Sequence, residues 1–195
     1  MLPSPVTEPD HPAALPEPAV VASTPAVQPF LAVLAAHEVE LYRYLRRLAP
    51  SAEDAADLHQ ETFLRAFRAY PRLAAGANVR AWLYRIAGNL ARDAYRRRRA
   101  RGESLELDDA AASLPGRAAG DPHAALAAAE LRRRVREGLL GLGWRQRTAV
   151  VARVLDGLDY ATVAALLDCT ETTARQHVSQ GLRRLRRLLA DEVAP

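Results

Sequence analysis

The chain has 195 residues, of which 49% are hydrophobic and only 6% aromatic, so any core consists mainly of Ala, Leu and Val. This composition favours helices, and the lack of an apolar run of about 18 residues excludes a membrane-spanning segment. All 27 basic residues are arginine, and the single cysteine excludes an internal disulfide or a cysteine-rich zinc site. The N-terminus has no signal-peptide pattern, so we expect a cytoplasmic protein.

The formal net charge of +4 is divided into four blocks along the chain. Residues 30–101 have a net charge of +7 and residues 129–195 of +4, whereas residues 1–29 carry −3 and residues 102–128 carry −4. Two basic blocks predict two domains that each meet a polyanion. Residues 1–29 hold eight of the thirteen prolines and are predicted to be a disordered tail. The acidic block is predicted to be a flexible linker.

The first basic block predicts three helices. The first runs from Phe30 to Leu48, before Pro50, and the second begins after the capping residue Ser51 and ends before Pro71. At about 100° per residue, one face of the second helix is predicted to be buried. That face consists of Ala56, His59, Gln60, Phe63, Phe67 and Tyr70.

The opposite face of the second helix is charged and holds one apolar residue. A solvated surface and a protein interface both fit this pattern, but Leu58 is unusual because it places a large apolar group among acids, away from the predicted core. The face consists of Asp54, Asp57, Leu58, Glu61, Arg65 and Arg68.

The third helix begins at Val79 after Asn78 and carries two stripes, one apolar and one basic. The basic stripe follows the spacing i, i+4, i+7, i+11 within about 60° of arc. Phosphates are the natural partner of such a row, and aromatic residues at its border can stack on unpaired bases. Trp82 lies on that border, where core packing and base stacking both fit, and Tyr84 and Tyr95 flank the other side. We name the basic stripe the arginine ladder; it consists of Arg85, Asn89, Arg92 and Arg96.

The second basic block predicts a helix-turn-helix. Helices are predicted at Glu130–Leu140, Arg145–Leu155 and Tyr160–Leu167, followed by a tight turn and a longer helix capped by Thr170. In such units the second helix enters the DNA major groove. Its exposed residues are types that hydrogen-bond base edges, although a plain helical bundle and an ordinary surface histidine remain alternatives. These residues are Glu171, Thr172, Arg175, Gln176, Ser179 and Gln180, with His177 nearby.

No catalytic motif is present. The chain lacks HExxH, a glycine-rich phosphate loop and GxSxG, and its five histidines are scattered. We therefore predict a protein that is not an enzyme and that uses neither a cofactor nor a metal.

Three segments resemble the extracytoplasmic-function (ECF) sigma factors of bacterial RNA polymerase: Asp57–Tyr70, Arg80–Arg99 and Gln146–Leu189. The resemblance covers about residues 30–101 and 129–190. It implies an all-α protein with two small helical domains joined by a flexible linker. The first would be a sigma region 2-like domain, and the second a region 4-like helix-turn-helix domain. Such a protein binds core RNA polymerase, melts the promoter −10 element and contacts the −35 duplex.

The resemblance also implies three sets of site residues. The first set would bind polymerase, the second the −10 DNA and the third the −35 DNA. Asn89 matches the position beside the pocket for a flipped base. The polymerase-binding residues are Asp54, Asp57, Leu58, Gln60 and Glu61. The −10 residues are Arg80, Trp82, Arg85, Asn89, Arg92, Arg96, Arg97 and Arg99. The −35 residues are Glu171, Thr172, Thr173, Arg175, Gln176, His177, Ser179 and Gln180.

The chain departs from the family pattern at three places, and the residues leave two alternative functions open. Leu142-Gly143-Trp144 stands where the family has Leu-Pro, and Thr172-Thr173 where it has Gly-Thr. His177 and Gln180 stand where the family often has basic residues. The resemblance implies an anti-sigma partner and a cytoplasmic, nucleoid-associated location. The alternatives are an autonomous helix-turn-helix regulator and a sigma-like protein that binds polymerase without opening DNA.

Overall fold

The computed structural model describes residues 27–102 and 122–191, and the regular elements in these ranges are helical. Residues 1–26 of the predicted tail and residues 103–121 of the predicted linker lie outside the described residues. Residues 27–29, which were predicted to belong to the tail, are helical. No helix within them combines the length and apolar character that crossing a bilayer requires. The helices are α1 (Val27–Leu48), α2 (Ala52–Ala69), α3 (Val79–Ala100), α4 (Pro122–Leu140), α5 (Trp144–Val150), α6 (Tyr160–Leu167) and α7 (Glu171–Asp191).

Helix α4 begins at Pro122, eight residues before the predicted start at Glu130. Residues 122–128, which were predicted to belong to the linker, are therefore helical. The segment lacks periodic large apolar residues, so its pattern did not indicate a helix. Its alanines have the highest intrinsic helix propensity, and proline is well tolerated in a first helical turn.

Local capping explains where four of the helices begin. The Ser51 side chain accepts a hydrogen bond from Asp54 N at 3.0 Å, and Asn78 Oδ1 accepts one from Ala81 N at 3.0 Å. Thr170 Oγ1 accepts a hydrogen bond from Thr173 N at 3.2 Å. These contacts satisfy backbone donors that lack partners in the first turn. They confirm the starts predicted for α2, α3 and α7. Asp159 caps α6 in the same way through Thr162 N.

Helices α1, α2 and α3 pack together as an N-terminal unit, and the predicted buried face of α2 is wrong. Its buried residues are Ala55, Thr62, Phe63 and Ala66. Small side chains at three of these positions let α2 approach its neighbours closely, whereas the prediction followed the large aromatic residues. Three residues of the predicted buried face are exposed: Ala56, Gln60 and Phe67. Leu58 is half-buried and packs against the core.

Tyr84 of α3 is also placed differently from the prediction. It is fully buried, and its ring lies 4.8 Å from that of Tyr44, centroid to centroid. Tyr84 thus belongs to the core between α1 and α3 and not to the flank of the arginine ladder.

Helices α4 to α7 form a C-terminal unit that contains the predicted helix-turn-helix. Asp168 ends α6 in the left-handed conformation, with φ of 52°, and the chain turns directly into α7. Gly181 allows α7 to cross α5 closely, because an added Cβ there would lie 2.7 Å from Val150 Cγ2. After α5, residues Val151–Leu155 form a π-helical turn that leads to α6.

The two units share one apolar core cluster, and two arginines of the C-terminal unit add hydrogen bonds between them. The carboxyl end of a helix leaves carbonyls without intrahelical donors, and here they accept hydrogen bonds from Arg136 and Arg147. Arg136 donates to Arg46 O at 3.0 Å and to Pro50 O at 2.8 Å, and Arg147 donates to Leu48 O at 3.1 Å. We name Arg136 and Arg147 the arginine clamp.

Arg147 is 1% exposed and also connects elements within its own unit. It donates to Leu140 O at 2.7 Å and to Leu142 O at 3.3 Å, at the end of α4. Burial lowers the pKa of this guanidinium to about 10. The charge therefore carries a desolvation cost, which the hydrogen bonds to three carbonyls offset.

A second polar contact between the units centres on Asp156, which follows the π-helical turn. Its carboxylate lies 2.5 Å from Arg47 Nη1, and its backbone carbonyl accepts a hydrogen bond from Arg80 Nη2 at 2.8 Å. Burial raises the pKa of Asp156 to about 6, although Arg47 acts in the opposite direction. Desolvation therefore outweighs the ion pair at this position.

We expect Arg147→Met to lower the free energy of unfolding by roughly 3 kcal/mol, because three buried carbonyls lose their donor. Urea denaturation followed by circular dichroism measures this change. The exposed Arg186 of α7 supplies the control, since Arg186→Met should change stability by less than about 0.5 kcal/mol. Equal effects of the two substitutions would contradict the role given to Arg147.

We expect Asp156→Asn to change the pH dependence of stability. The folded pKa of about 6 lies above the ordinary value of 3.8, so the folded state binds the proton more tightly than the unfolded state. The contribution of Asp156 to stability therefore falls as pH rises from about 4 to about 6 and is constant above that range. The asparagine variant lacks this fall. Urea denaturation between about pH 4 and pH 6 should show that the variant gains free energy of unfolding relative to the parent as the pH rises. Parallel plots of this free energy against pH would contradict the role given to Asp156.

Candidate nucleic-acid interface

The arginine ladder forms a continuous row on α3, as predicted. Arg85, Asn89 and Arg96 are exposed, and Arg92 is half-buried. Ala87, Leu90 and the other apolar residues of the helix face the core, so the ladder lies on the side that remains accessible. Trp82 is half-buried and packs against the core, with part of its ring still accessible. The row offers guanidinium groups and one carboxamide to a ligand.

The other arginines predicted to bind −10 DNA lie at three different places. Arg99 is exposed beside the end of the ladder. Arg97 lines a smaller cavity of about 180 Å³ that also contains Leu58. Arg80 is not near the ladder; its Nη2 lies 3.0 Å from Glu40 Oε2 and also donates to Asp156 O. The structure therefore groups Arg99 with the ladder and separates Arg80 from it.

The first turns of α7 present the polar residues predicted for −35 recognition. Glu171, Thr172, Arg175, Gln176, Ser179 and Gln180 are exposed. The intervening Ala174 and Val178 are buried and fix the orientation of the helix. The hydroxyl of Thr173 lies 2.9 Å from that of Thr170, so this side chain takes part in the cap.

Arg175 is held in place by neighbours that the sequence pattern did not indicate. Its guanidinium carbon lies 4.0 Å from the ring centroid of Tyr160, and its Nη2 lies 3.3 Å from Glu171. Arg153 lies 4.7 Å from the same ring centroid. Tyr160 thus interacts with two cations. This arrangement restricts the orientation of Arg175 on a surface where the arginine is otherwise exposed.

The exposed rows of α3 and α7 meet at one cleft of about 510 Å³ between the two units. We name it the basic cleft. Tyr95 of α3 and Trp144 of α5 stack across it, with ring centroids 5.4 Å apart. Burial and the neighbouring Arg145 lower the pKa of His177, which favours its neutral form. The cleft is lined by Arg92, Tyr95, Arg96, Arg99, Gly143, Trp144, Arg145, Gln146, Leu166, Leu167, His177, Gln180 and Arg184.

Eight of these lining residues were not predicted to belong to a site, and three of the eight, Trp144, Arg145 and Arg184, come from the C-terminal unit and carry aromatic or cationic groups. They come from helices that are distant in sequence from the ladder, and only the packing of the units brings them beside it. The helical periodicity of a single segment does not indicate which residues of another segment will lie beside it.

Some residues predicted to bind polymerase are exposed, whereas others form ion pairs or pack against the core. Asp57 and Gln60 are exposed, and Glu61 is half-exposed with its Oε1 2.6 Å from Arg65 Nε. Asp54 instead pairs with Arg98 Nη1 at 2.7 Å. Leu58, predicted to lie away from the core, is half-buried against it. The accessible part of the predicted surface is therefore the exposed side of α2.

Comparison with known proteins explains why two helical units with these surfaces occur together. Residues 33–101 match sigma-70 region 2, and residues 132–185 match sigma-70 region 4. The chain is 31% identical over 159 residues to the RNA polymerase sigma factor CarQ of Myxococcus xanthus, which covers 82% of this chain and 88% of CarQ. The chain belongs to the ECF family of RNA polymerase sigma factors.

Other relatives agree with this assignment. The ECF sigma factor SigE of Mycolicibacterium smegmatis is 34% identical over 157 residues, which is 79% of this chain but only 59% of SigE. The ECF sigma-E factor of Escherichia coli K12 is 33% identical over 137 residues, 68% of this chain and 71% of that protein.

Two solved structures share the fold. One is the sigma factor RpoE from Bartonella quintana in complex with the anti-sigma factor NepR, with a TM-score of 0.69 and 24% identity. The match covers 87% of this sigma factor and 100% of RpoE. The other is CnrH in complex with the cytosolic domain of CnrY, with a TM-score of 0.63, 24% identity and coverage of 86% and 90%.

The function follows from the family. This sigma factor directs promoter-specific initiation of transcription, and its two matched regions account for the two predicted helical domains. Sigma factors are initiation factors and not enzymes. An autonomous helix-turn-helix regulator is not favoured, because region 2 is matched as well as the helix-turn-helix of region 4.

Proposed function

We propose that this sigma factor contacts the promoter through two surfaces on separate units. Residues 30–101 would open the −10 element with the arginine ladder and Asn89, and residues 129–195 would contact the −35 duplex with the first turns of α7. The observation that carries the proposal is the presence of two exposed, polar rows on α3 and α7. Arginines on α3 neutralise phosphates without sequence preference, and the polar residues of α7 discriminate between bases.

Melting requires that an unpaired base be held outside the helix. Unstacking costs a few kcal/mol, which binding of the extruded base offsets. Asn89 is exposed within the ladder and carries both a donor and an acceptor, so it can hydrogen-bond a flipped base. The accessible part of the Trp82 ring lies two turns before Asn89 on the same helix and offers a stacking surface.

The polymerase would dock on the exposed side of α2, which contains Asp57, Gln60 and Glu61. These side chains are accessible and polar, and Leu64 beside them is 44% exposed. A mixed polar and apolar surface of this kind suits a protein interface. Leu58 would contribute mainly by packing beneath this surface, because it is half-buried.

The two units have to separate before both promoter elements are bound. Elements centred at −10 and −35 are about 25 base pairs apart, which corresponds to roughly 85 Å of duplex. In the structure, ladder residues and −35 residues line the same cleft of about 510 Å³. We therefore propose that the packed arrangement, which we name the closed form, is a resting state that opens on polymerase.

The partner and the cellular location of this sigma factor are proposed by analogy with its relatives. RpoE and CnrH were solved in complexes, RpoE with the anti-sigma factor NepR and CnrH with the cytosolic domain of CnrY. We propose that an anti-sigma partner also binds this chain, that it works in the cytoplasm on nucleoid DNA, and that it has no enzymatic activity of its own.

Run-off transcription with purified core polymerase and a pool of genomic promoters tests the proposed function. We expect transcripts from discrete start sites that require both the sigma factor and core polymerase. Gln60→Arg should abolish them without changing the melting temperature, because Gln60 is exposed, whereas Arg68→Glu on the same helix should preserve them. Sequence-specific duplex binding without any transcripts would instead support an autonomous regulator. Binding to polymerase without transcripts would support an inactive sigma-like protein.

We expect Arg175→Ala to reduce discrimination at one base pair of the −35 element by about 1–3 kcal/mol. Tyr160→Leu should have a smaller effect at the same base pair, because it frees Arg175 from the ring, and Tyr160→Phe should retain discrimination. Holoenzyme binding to a set of single-base −35 variants measures this, with Arg132→Ala, an exposed arginine of α4, as control. A uniform loss across all variants would mark Arg175 as a phosphate contact.

A further inference from the structure

We propose that the basic cleft of the closed form binds a nucleotide-class ligand, a base carrying several phosphates, and that the bound ligand keeps the two units together. The role of the closed form rests on the proposed function, but the binding site itself rests on the cleft alone. The argument uses the charge of the cleft, the origin of its walls and its aromatic residues.

The cleft concentrates positive charge that the described residues do not neutralise. Five arginines line it: Arg92, Arg96 and Arg99 from α3, Arg145 from α5 and Arg184 from α7. Among residues 27–102 and 122–191, no carboxylate lines it. Within the described residues, four of these arginines take part in no ion pair, and Arg145 donates only to Leu167 O. Arg92 Nε is buried there without a hydrogen-bond partner.

Closure brings these like charges towards one another, which costs electrostatic energy. The arginine clamp, Asp156 and the apolar cluster that both units share hold the closed form together elsewhere. An anion that contacts Arg96 on one wall and Arg184 on the other relieves the repulsion, and it can do so only while the units are packed. By linkage, a ligand that prefers the closed form stabilises it in proportion to its occupancy.

The size and the aromatic residues of the cleft indicate a nucleotide. A volume of about 510 Å³ lies within the usual range for small-ligand sites. Tyr95 and Trp144 stack on each other at 5.4 Å, one from each unit, and both rings are half-buried at the cleft. The accessible part of Trp144 offers a surface for a base, while guanidinium groups hold phosphates in bidentate fashion.

Occupation of the cleft would oppose promoter binding. Arg92 and Arg96 belong to the proposed −10 surface, and His177 and Gln180 belong to the proposed −35 surface, yet all four line this cleft. A ligand that covers them and favours closure acts as an antagonist. The ligand that supplies the base and the phosphates is either a free nucleoside triphosphate or the phosphorylated end of a short oligonucleotide.

Isothermal titration of the full chain, without polymerase or promoter, tests the site. The probes are GTP, ATP, a 5′-phosphorylated DNA pentanucleotide and inorganic tripolyphosphate, at fixed ionic strength. We expect a base-containing probe to bind at least about tenfold more tightly than tripolyphosphate. Tighter binding of a triphosphate would identify the ligand as a free nucleotide. Tighter binding of the pentanucleotide would identify it as the end of an oligonucleotide. Equal or tighter binding of tripolyphosphate would overturn the nucleotide assignment.

Matched variants test whether both walls and closure are required. Arg96→Gln and Arg184→Gln should each weaken binding about tenfold, whereas Arg132→Gln on α4, outside the cleft, should not. Arg136→Ala should also weaken binding, although Arg136 does not line the cleft, because it loosens the clamp. Small-angle scattering should show compaction on binding. Loss of affinity in Arg96→Gln alone, or equal loss in Arg132→Gln, would overturn the proposal.

A transcription assay separates failure of this inference from failure of the proposed function. If the titrations succeed, the ligand should lower open-complex formation, measured before the other nucleoside triphosphates are added, more when it is added before core polymerase than after. If the chain gives no transcripts under any condition, the proposed function fails while the titrations still decide the site. Binding without compaction and without this order effect would overturn the antagonist role.

Discussion

The closed form depends on how the carboxyl end of α1 obtains its hydrogen-bond donors. The helix stops before Pro50, so its last carbonyls need partners from elsewhere. Leu45 O accepts a hydrogen bond from Ala49 N nearby, but Arg46, Leu48 and Pro50 use arginines of the other unit. The clamp fixes the end of α1 against α4 and α5, and α3 also packs directly against the C-terminal unit through the shared apolar cluster. The basic cleft lies between the two units that these contacts join.

The contacts between the units combine apolar packing with buried charges. Within each unit, helix starts are satisfied by their own capping residues and cores are apolar. Between the units, buried charges at Arg147 and Asp156 carry desolvation costs that their hydrogen bonds and ion pair must offset. Exposing these groups to water returns much of that cost, which offsets part of the free energy lost when the apolar contacts between the units are broken. This compensation suits the proposed separation of the units on two distant promoter elements.

The sequence predicted local structure well and the tertiary arrangement poorly, for physical reasons. Caps such as Asn78 and Thr170 act within three residues, so their pattern is visible in the sequence. The buried face of α2 was wrong because small residues such as Thr62 pack closely, whereas Phe67 is exposed; periodicity does not show which stripe meets a neighbour. The hydrogen bonds described between the units join residues 76 to 109 positions apart. Nothing in the sequence distinguishes a buried arginine from an exposed one. The ladder and the exposed row of α7 were predicted correctly as exposed surfaces, but not their meeting at one cleft.

Because all 27 basic residues of this sigma factor are arginine, the same side chain both joins the units and lines the basic cleft. Arg147 uses its planar group to donate to three carbonyls in different directions, which the single ammonium of a lysine would do less well. On α3 the same group stays exposed and charged, where it suits phosphates but resists closure. The contacts between the units must therefore overcome the repulsion among the arginines of the cleft. Under the two proposals, an anion that spans both walls favours the closed form, whereas promoter DNA, which is too long to fit between the units, favours the open form. The direction of the proposed effect thus depends on the length of the anion and not on the sign of its charge.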